Sequence, residues 1–220
     1  MAEKKTNRRK FIKNAALAGV GASVLGGLTL KKAHAAEKGL NVLVLYYSLT
    51  GNTAKAATEV VKGVKTVPGA VVAIRKIPGA ASVKGQTIPD VTDKDLKVAD
   101  CIILGSPVHN ANPAGEMLKY MQMTSKVNCY GKFGGAFATG GHAYGGMGIV
   151  MNQLLVLLIH KAMVVGGTRN KEIGYGGVGA GAETMPPSTG LDKRELEVFY
   201  SLGKDVATSA LQWKMGAGAL

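Results

Sequence analysis

Ser48-Leu49-Thr50-Gly51-Asn52-Thr53 decides how the rest of the chain is read. These six residues join an apolar run at 41–47 to a helical pattern that begins near Thr53. A strand that ends on such a turn and feeds a helix aims several backbone N–H groups, with the positive end of the helix dipole, at one point. The hydroxyls of Ser48, Thr50 and Thr53 add donors, and Gly51 lets the backbone approach closely or take positive φ. No Lys or Arg stands in the turn, and the Gly-x-x-x-x-Gly-Lys-Ser/Thr spacing of a nucleoside-triphosphate loop is missing. The expectation is a single phosphate held by neutral donors. For these residues alone the alternative is an ordinary turn in which Ser48 or Asn52 caps the helix.

Outward from the turn, short β-rich runs at 41–47, 70–77, 101–105, 135–139 and 163–165 alternate with helical patterns at 53–64, 93–98, 113–123, 148–161 and 192–213. That rhythm predicts an α/β fold: a five-stranded parallel sheet with helices on both faces. Thr92, with Asp95 three residues on, forms a capping-box pattern before the second helix. Residues 78–90, with their glycines and prolines, read as a long surface connection. The apolar run 149–165 is interrupted by Asn152, Gln153, His160 and Lys161, so it reads as a buried helix turning into a strand and not as a membrane span. A helix apolar on most faces needs cover on more than one side, either within the domain or from another subunit.

Residues 1–36 stand outside this pattern. Asn7-Arg8-Arg9-Lys10-Phe11-Ile12-Lys13 precedes a weakly apolar Ala/Gly-rich stretch at 15–30, and Ala33-His34-Ala35 fits a small-x-small cleavage site. The segment resembles a twin-arginine export signal, which implies passage through the twin-arginine translocase, cleavage near Ala35 and a periplasmic location. An uncleaved anchor is the alternative. Eight Lys or Arg and one acid fall in this segment, so the formal charge drops from +13 to +6 without it. The remaining excess is spread out, with no basic stripe or aromatic platform, and nucleic-acid binding is not expected. The 184 residues from Glu37 to Leu220 suffice for one domain with a buried core. Cys101 and Cys129 form no Cys-x-x-Cys and join no His cluster, so no metal or dithiol site is expected; separate free thiols are favoured over a disulfide.

The run Val42-Leu43-Val44-Leu45-Tyr46-Tyr47 together with the turn resembles the FMN-phosphate loop of flavodoxin-like proteins. Later segments resemble the WrbA-type NAD(P)H:quinone oxidoreductases. Gly105-Ser106-Pro107-Val108-His109-Asn110-Ala111-Asn112-Pro113 is similar to that family's Gly-Thr-Pro-Thr-Arg-Phe-Gly-Asn loop along the flavin ring, with Val108, His109 and Asn110 in place of Thr-Arg-Phe. Ala138-Thr139-Gly140-Gly141-His142-Ala143-Tyr144-Gly145-Gly146 resembles its Ser-Thr-Gly-Thr-Gly-Gly-Gly segment. Ile159-His160-Lys161-Ala162-Met163-Val164-Val165 resembles its Ala-His-His-Gly-Met-Val-Ile. Ile173-Gly174-Tyr175-Gly176 and Pro187-Ser188 also fit.

The resemblance implies a flavodoxin-like three-layer sandwich with strand order 2-1-3-4-5. It implies FMN as cofactor, held by Ser48, Leu49, Thr50, Gly51, Asn52 and Thr53 at the phosphate. Pro107, Val108, His109, Asn110, Thr139, Gly140, Gly141, His142, Ala143, Tyr144 and His160 would contact the ring. The flavin itself would carry the chemistry, with no further catalytic residue, NAD(P)H as a possible donor and a quinone as acceptor. Dimers or tetramers are implied as well. Helix-end capping is as good a role for His160 as a flavin contact. Two functional readings stay open: a quinone reductase, and a flavodoxin-like periplasmic electron carrier, which would need aromatic side chains flanking the ring where only Tyr144 is available.

Overall fold

The computed structural model describes residues 39–141, 145–168, 180–183 and 190–217. Strand β1, Leu40–Tyr46, is buried everywhere except Asn41. Its Val and Leu residues do not alternate with polar ones because helices cover both faces of the sheet. It pairs in parallel with β2, Ala70–Lys76, and with β3, Cys101–His109. Strand β5, Phe133–Gly140, runs parallel to β3 from Cys101 opposite Phe133 to Pro107 opposite Thr139. With β6, Val164–Val165, the order is β2-β1-β3-β5-β6, the 2-1-3-4-5 winding expected of a flavodoxin-like sheet.

Two features differ from the sequence reading. The fifth position of the sheet holds two short strands instead of one: β6 lies beside Phe133 and Gly134, and β7, Ala180–Glu183, beside residues 137–140 of the same β5 edge. Ala180-Gly181-Ala182-Glu183 carries no β-branched or aromatic residue, so no local preference marks it as a strand. The connection after β3 is also no open loop. Strand β3 continues past the sheet and turns back as β4, Asn112–Pro113, with Val108 opposite Pro113 and His109 opposite Asn112. Asn110 and Ala111 make the two-residue turn, both at positive φ (50° and 60°), the backbone of a tight hairpin that usually selects Asn and Gly.

The helices are α1, Asn52–Val64; α2, Asp93–Val98; α3, Gly115–Met123; α4, Met147–His160; and α5, Lys193–Ala217. The Thr92–Asp95 capping box starts α2 as expected, and Asp192 and Glu195 exchange backbone-to-carboxylate hydrogen bonds of 2.8 Å where α5 begins. Neighbouring residues of a strand face opposite sides. On β5, a Cβ at Gly134 would touch Leu158 of α4, whereas one at Gly135 would touch Val206 of α5, so the two helices cover opposite faces. Phe137 meets Phe199 of α5 edge to face at 5.7 Å. Helices α1 and α5 cross with backbones in contact: a Cβ at Gly63 would fall 1.9 Å from the Tyr200 carbonyl oxygen, and one at Gly203 2.0 Å from that of Val60. Val150, Leu154, Leu155 and Leu158 of α4 are buried, while Ile149, Val156 and Ile159 are exposed. Among the described residues no helix is long and apolar enough to cross a membrane. Cys101 and Cys129 are both buried free thiols.

Because the sheet strands are parallel, all of them start at one end of the domain and finish at the other. The turns that follow β1, β3 and β5 therefore share one rim. The helix-to-strand connections share the opposite one.

Candidate functional site

At the first rim the Ser48–Thr53 turn is held from within and from behind. Ser48 Oγ accepts a hydrogen bond from the Gly51 amide at 3.0 Å, and the Ser48 carbonyl accepts one from the Ala81 amide at 2.8 Å. Tyr46 donates its hydroxyl to the Ala81 carbonyl, so the 78–90 connection backs the turn. Gly51 takes φ 97°, a left-handed conformation costly for other residues, and no side chain caps α1 from that position. No acidic residue lies in the first turn of α1. The helix thus presents its positive end without a built-in anion to neutralise it.

Thr139, at the end of β5, and Thr53, in the first turn of α1, are buried with their hydroxyl oxygens 2.8 Å apart. One hydroxyl must donate to the other, which leaves one proton of the pair to donate outward. This bond ties the first turn to the third. The first and second turns are joined by the Tyr47 amide donating to the Gly105 carbonyl at 3.0 Å and by the Tyr47 hydroxyl donating to Glu116 at 3.0 Å. Burial, then the hydrogen bond and charge of Glu116, push the Tyr47 phenol above its ordinary value, so it stays a protonated donor. The second and third meet where a Cβ at Gly146, the residue before α4, would lie 3.0 Å from the Ala111 Cβ. Gly146 sits at φ 90°, α4 has no side-chain cap there, and its first turn holds no acid. Two unneutralised helix N-termini thus belong to one rim.

Ser48, Leu49, Thr50, Gly51, Asn52 and Thr53 are brought together with Pro107, Val108, His109, Asn110, Thr139, Gly140 and Gly141. Leu49, Thr50 and Asn110 are exposed, whereas Ser48, Thr53 and Thr139 are buried and already take part in internal bonds. His142, Ala143 and Tyr144 lie outside the described residues, as do the 173–176 and 187–188 segments. His160 is not brought to this rim. It ends α4, whose 14 residues start at the rim and carry the chain roughly 20 Å away from it. There it lines a separate cleft of about 540 Å³ with Met121, Cys129, Tyr130, Leu157 and Lys161. The expectation of a flavin contact within one chain is corrected by that separation, which follows from helix length.

Sequence reading missed three supports of the rim. Ser106 Oγ accepts the Ala114 amide at 2.9 Å and so fixes the entry to α3. Tyr47 and Glu116 are 69 positions apart, and no local pattern joins them. Lys55, in the first turn of α1, gives the neighbourhood a cation that the turn itself lacks; its Nζ donates to the Leu191 carbonyl at 3.2 Å.

The donor set fits FMN: first-turn amides of α1 and the Ser48, Thr50 and Thr53 hydroxyls for a phosphate, and glycine backbone at 140–141 with a hairpin opposite for a flat ring. The chain resembles known proteins along the same lines. It is 32% identical to a NAD(P)H dehydrogenase (quinone) of Geotalea daltonii, covering 80% of this chain and 99% of that protein. It is 32% identical to one of Geobacter sulfurreducens, covering 69% and 86%. In structure it matches a WrbA-like flavodoxin from Agrobacterium tumefaciens with a TM-score of 0.61 at 22% identity, covering 79% of this chain and 99% of that one. A family model described as NADPH-dependent FMN reductase matches residues 40–172, from the first residue of β1 through β6. More than half the chain follows that model and all three rim turns fall inside it, so the chain belongs to the NADPH-dependent FMN reductase family.

Proposed function

We propose that this chain is an FMN-dependent oxidoreductase passing two electrons from a reduced donor to a quinone. Bound FMN supplies the hydride chemistry. The first-turn amides of α1, the Thr50 hydroxyl and the free proton of the Thr53–Thr139 pair bind the phosphate, and the positive end of α1 stabilises its charge. The hairpin at 107–113 and the strand end at Thr139–Gly141 would hold the ring. The uncapped N-terminus of α4 would favour negative charge on a ring bound there. The observation that carries this reading is the 2.8 Å Thr53–Thr139 bond, which makes one site of two turns 86 positions apart. The test is a flavin absorbance spectrum of the purified protein, followed by steady-state quinone reduction with NAD(P)H. A colourless protein that takes up no added FMN overturns the assignment.

The paired arginines, apolar stretch and Ala33-His34-Ala35 support export by the twin-arginine translocase to the periplasm, with the FMN already bound and residues 1–36 removed. NAD(P)H is a cytoplasmic donor, so in that location a membrane quinol or a periplasmic carrier delivers the electrons, even where NAD(P)H serves in a cuvette. Arg8→Lys with Arg9→Lys is expected to keep the protein in the cytoplasm, as read by cell fractionation. The exposed Ile149, Val156 and Ile159 on α4 suit a contact between copies in a dimer or tetramer. In such an assembly His160 would reach only the flavin of a neighbouring copy. Light scattering of wild type and Val156→Glu tests it, with a monomeric wild type counting against the assembly.

A further inference from the structure

The end of the sheet opposite the flavin rim carries a different chemistry. Five segments make it: 65–69, 97–100, 124–132 and 161–163, which lead into strands, and the last residues of α5 at 213–217. They contain Lys65, Lys97, Lys126, Lys132, Lys161 and Lys214 against a single acid, Asp100. Hydrogen bonds join the last four of these segments into one surface. Lys214 Nζ pairs with Asp100 at 2.6 Å and donates to the Gly39 carbonyl; Lys132 Nζ donates to the carbonyls of Lys97 and Ala99; Lys161 Nζ donates to that of Thr124. Trp213 Nε1 donates to the Gly131 carbonyl at 3.0 Å while its ring is 43% exposed. Tyr130, the residue before Gly131, is 80% exposed, and Val98, Met123 and Met215 are exposed at the same end.

A lysine at a helix C-terminus complements the helix dipole, which accounts for one cation per helix. The same preference covers Lys126, in the last turn of the short 3-10 helix Thr124–Lys126, and Lys132, whose ammonium caps carbonyls at the end of α2, but it does not account for an indole, a phenol and three aliphatic or thioether side chains exposed among the cations. That mixture is what an anionic lipid interface selects: lysines over the headgroups, with Trp and Tyr rings at the boundary of the acyl region. An acidic protein would satisfy the charge alone.

We propose that the lysine-rich amino end of the sheet is a docking face for an anionic membrane surface, with Trp213 and Tyr130 entering the headgroup layer. Docked this way, the domain holds its flavin rim on the far side, about 30 Å away by the nine-residue length of β3. Of the two donors proposed above, that placement favours the water-soluble periplasmic carrier over a quinol buried in lipid. The proposal rests on the lysine end alone and survives loss of the flavin assignment.

Lys38–Leu220 is a compact unit by itself, so the chain from Glu37 onward, loaded with FMN where it binds, is suitable for the test. Trp213 is the single tryptophan of the sequence and reports on this surface directly. The probes are phosphatidylcholine vesicles with and without roughly a third phosphatidylglycerol, at low ionic strength, read by sedimentation and Trp213 emission. Binding to the anionic vesicles with a blue shift, reversed by high salt, is expected. Each lysine facing such a surface is worth roughly a fivefold change in partitioning, so Lys65→Glu, Lys97→Glu and Lys126→Glu together should weaken binding by about a hundredfold or more. These three side chains are exposed, and an unchanged melting temperature verifies the variant's fold. Equal binding to neutral and anionic vesicles, sedimentation with Trp213 emission unshifted, or undiminished binding of the triple variant overturns the proposal. So does no binding at all, which leaves the lysines to an acidic protein partner.

Discussion

The two ends of one parallel sheet are built from opposite materials. Where β1, β3 and β5 finish, the turns hold Ser48, Thr50, Gly51, Thr139 and Gly140, and their positive potential comes from the N-termini of α1 and α4. Where the strands begin, the segments leading into them and the end of α5 together hold six lysines. The difference teaches how a fold divides its electrostatics. Backbone dipoles are fixed in direction and suit a ligand that must be oriented, whereas lysine ammonium groups on flexible stems suit a broad surface that need not be. Each end can be perturbed separately.

The largest expected effect is a control that breaks both ends at once. Gly203→Ala places a methyl group 2.0 Å from the Val60 carbonyl oxygen and forces α5 off α1. A loss of about 3 kcal/mol or more in denaturant unfolding should accompany weakened FMN retention. Thr139→Val separates the ends. It conserves shape but leaves the Thr53 hydroxyl buried without its partner, at a cost of about 1–3 kcal/mol. FMN affinity, measured by fluorescence titration, should fall by roughly tenfold, with vesicle binding unchanged.

Both ends also keep an alanine at positive φ: Ala111 in the hairpin at 60° and Ala162 after α4 at 58°. At Ala162 the Met163 amide donates to the Leu158 carbonyl and the Ala162 amide to that of Ile159, a helix stop that normally takes glycine. Ala162→Gly should therefore stabilise by about 1 kcal/mol and leave FMN binding alone. Ala111→Gly relieves the same strain but removes the methyl group that packs against Gly146, and FMN dissociation should quicken. A dissociation rate unchanged by Ala111→Gly would show that the hairpin does not grip the ring.

The smallest effect belongs to neither end. Burial alone would raise the Asp95 carboxyl, but hydrogen bonds from Thr92 and the Arg75 guanidinium hold it below its ordinary value. A depressed carboxylate stabilises the fold above its unfolded pKa, and that contribution disappears as pH falls through the lower, folded value. Asp95→Asn should cost about 1 kcal/mol or less at neutral pH. The deficit should vanish in strongly acidic buffer, as followed by thermal melts across pH.

The strands of the sheet, the capping box of α2 and the phosphate-type turn were legible because each is a local signal: an unbroken apolar run, a Thr-x-x-Asp spacing, hydroxyls and glycine between strand and helix. The hairpin at 108–113 was not legible, since Asn110-Ala111 lacks the glycine that ordinarily marks such a turn and the surrounding packing supplies what local preference does not. Strand β7 was invisible for a related reason: Ala-Gly-Ala-Glu becomes a strand only because β5 offers it an open edge. Motif matching put His160 beside the flavin, yet a helix of 14 residues carries it to the other end.

By itself, the sequence determined the fold class and the place of the first turn, because hydrophobic period and turn chemistry act over a few residues, while the winding order followed from the family resemblance. The tertiary structure alone decided that Thr53 meets Thr139 and that Tyr47 meets Glu116. It also decided that six lysines scattered between 65 and 214 share one end of the sheet. Those pairings span tens of residues, and only the parallel registration of the strands determines which distant side chains arrive at the same rim.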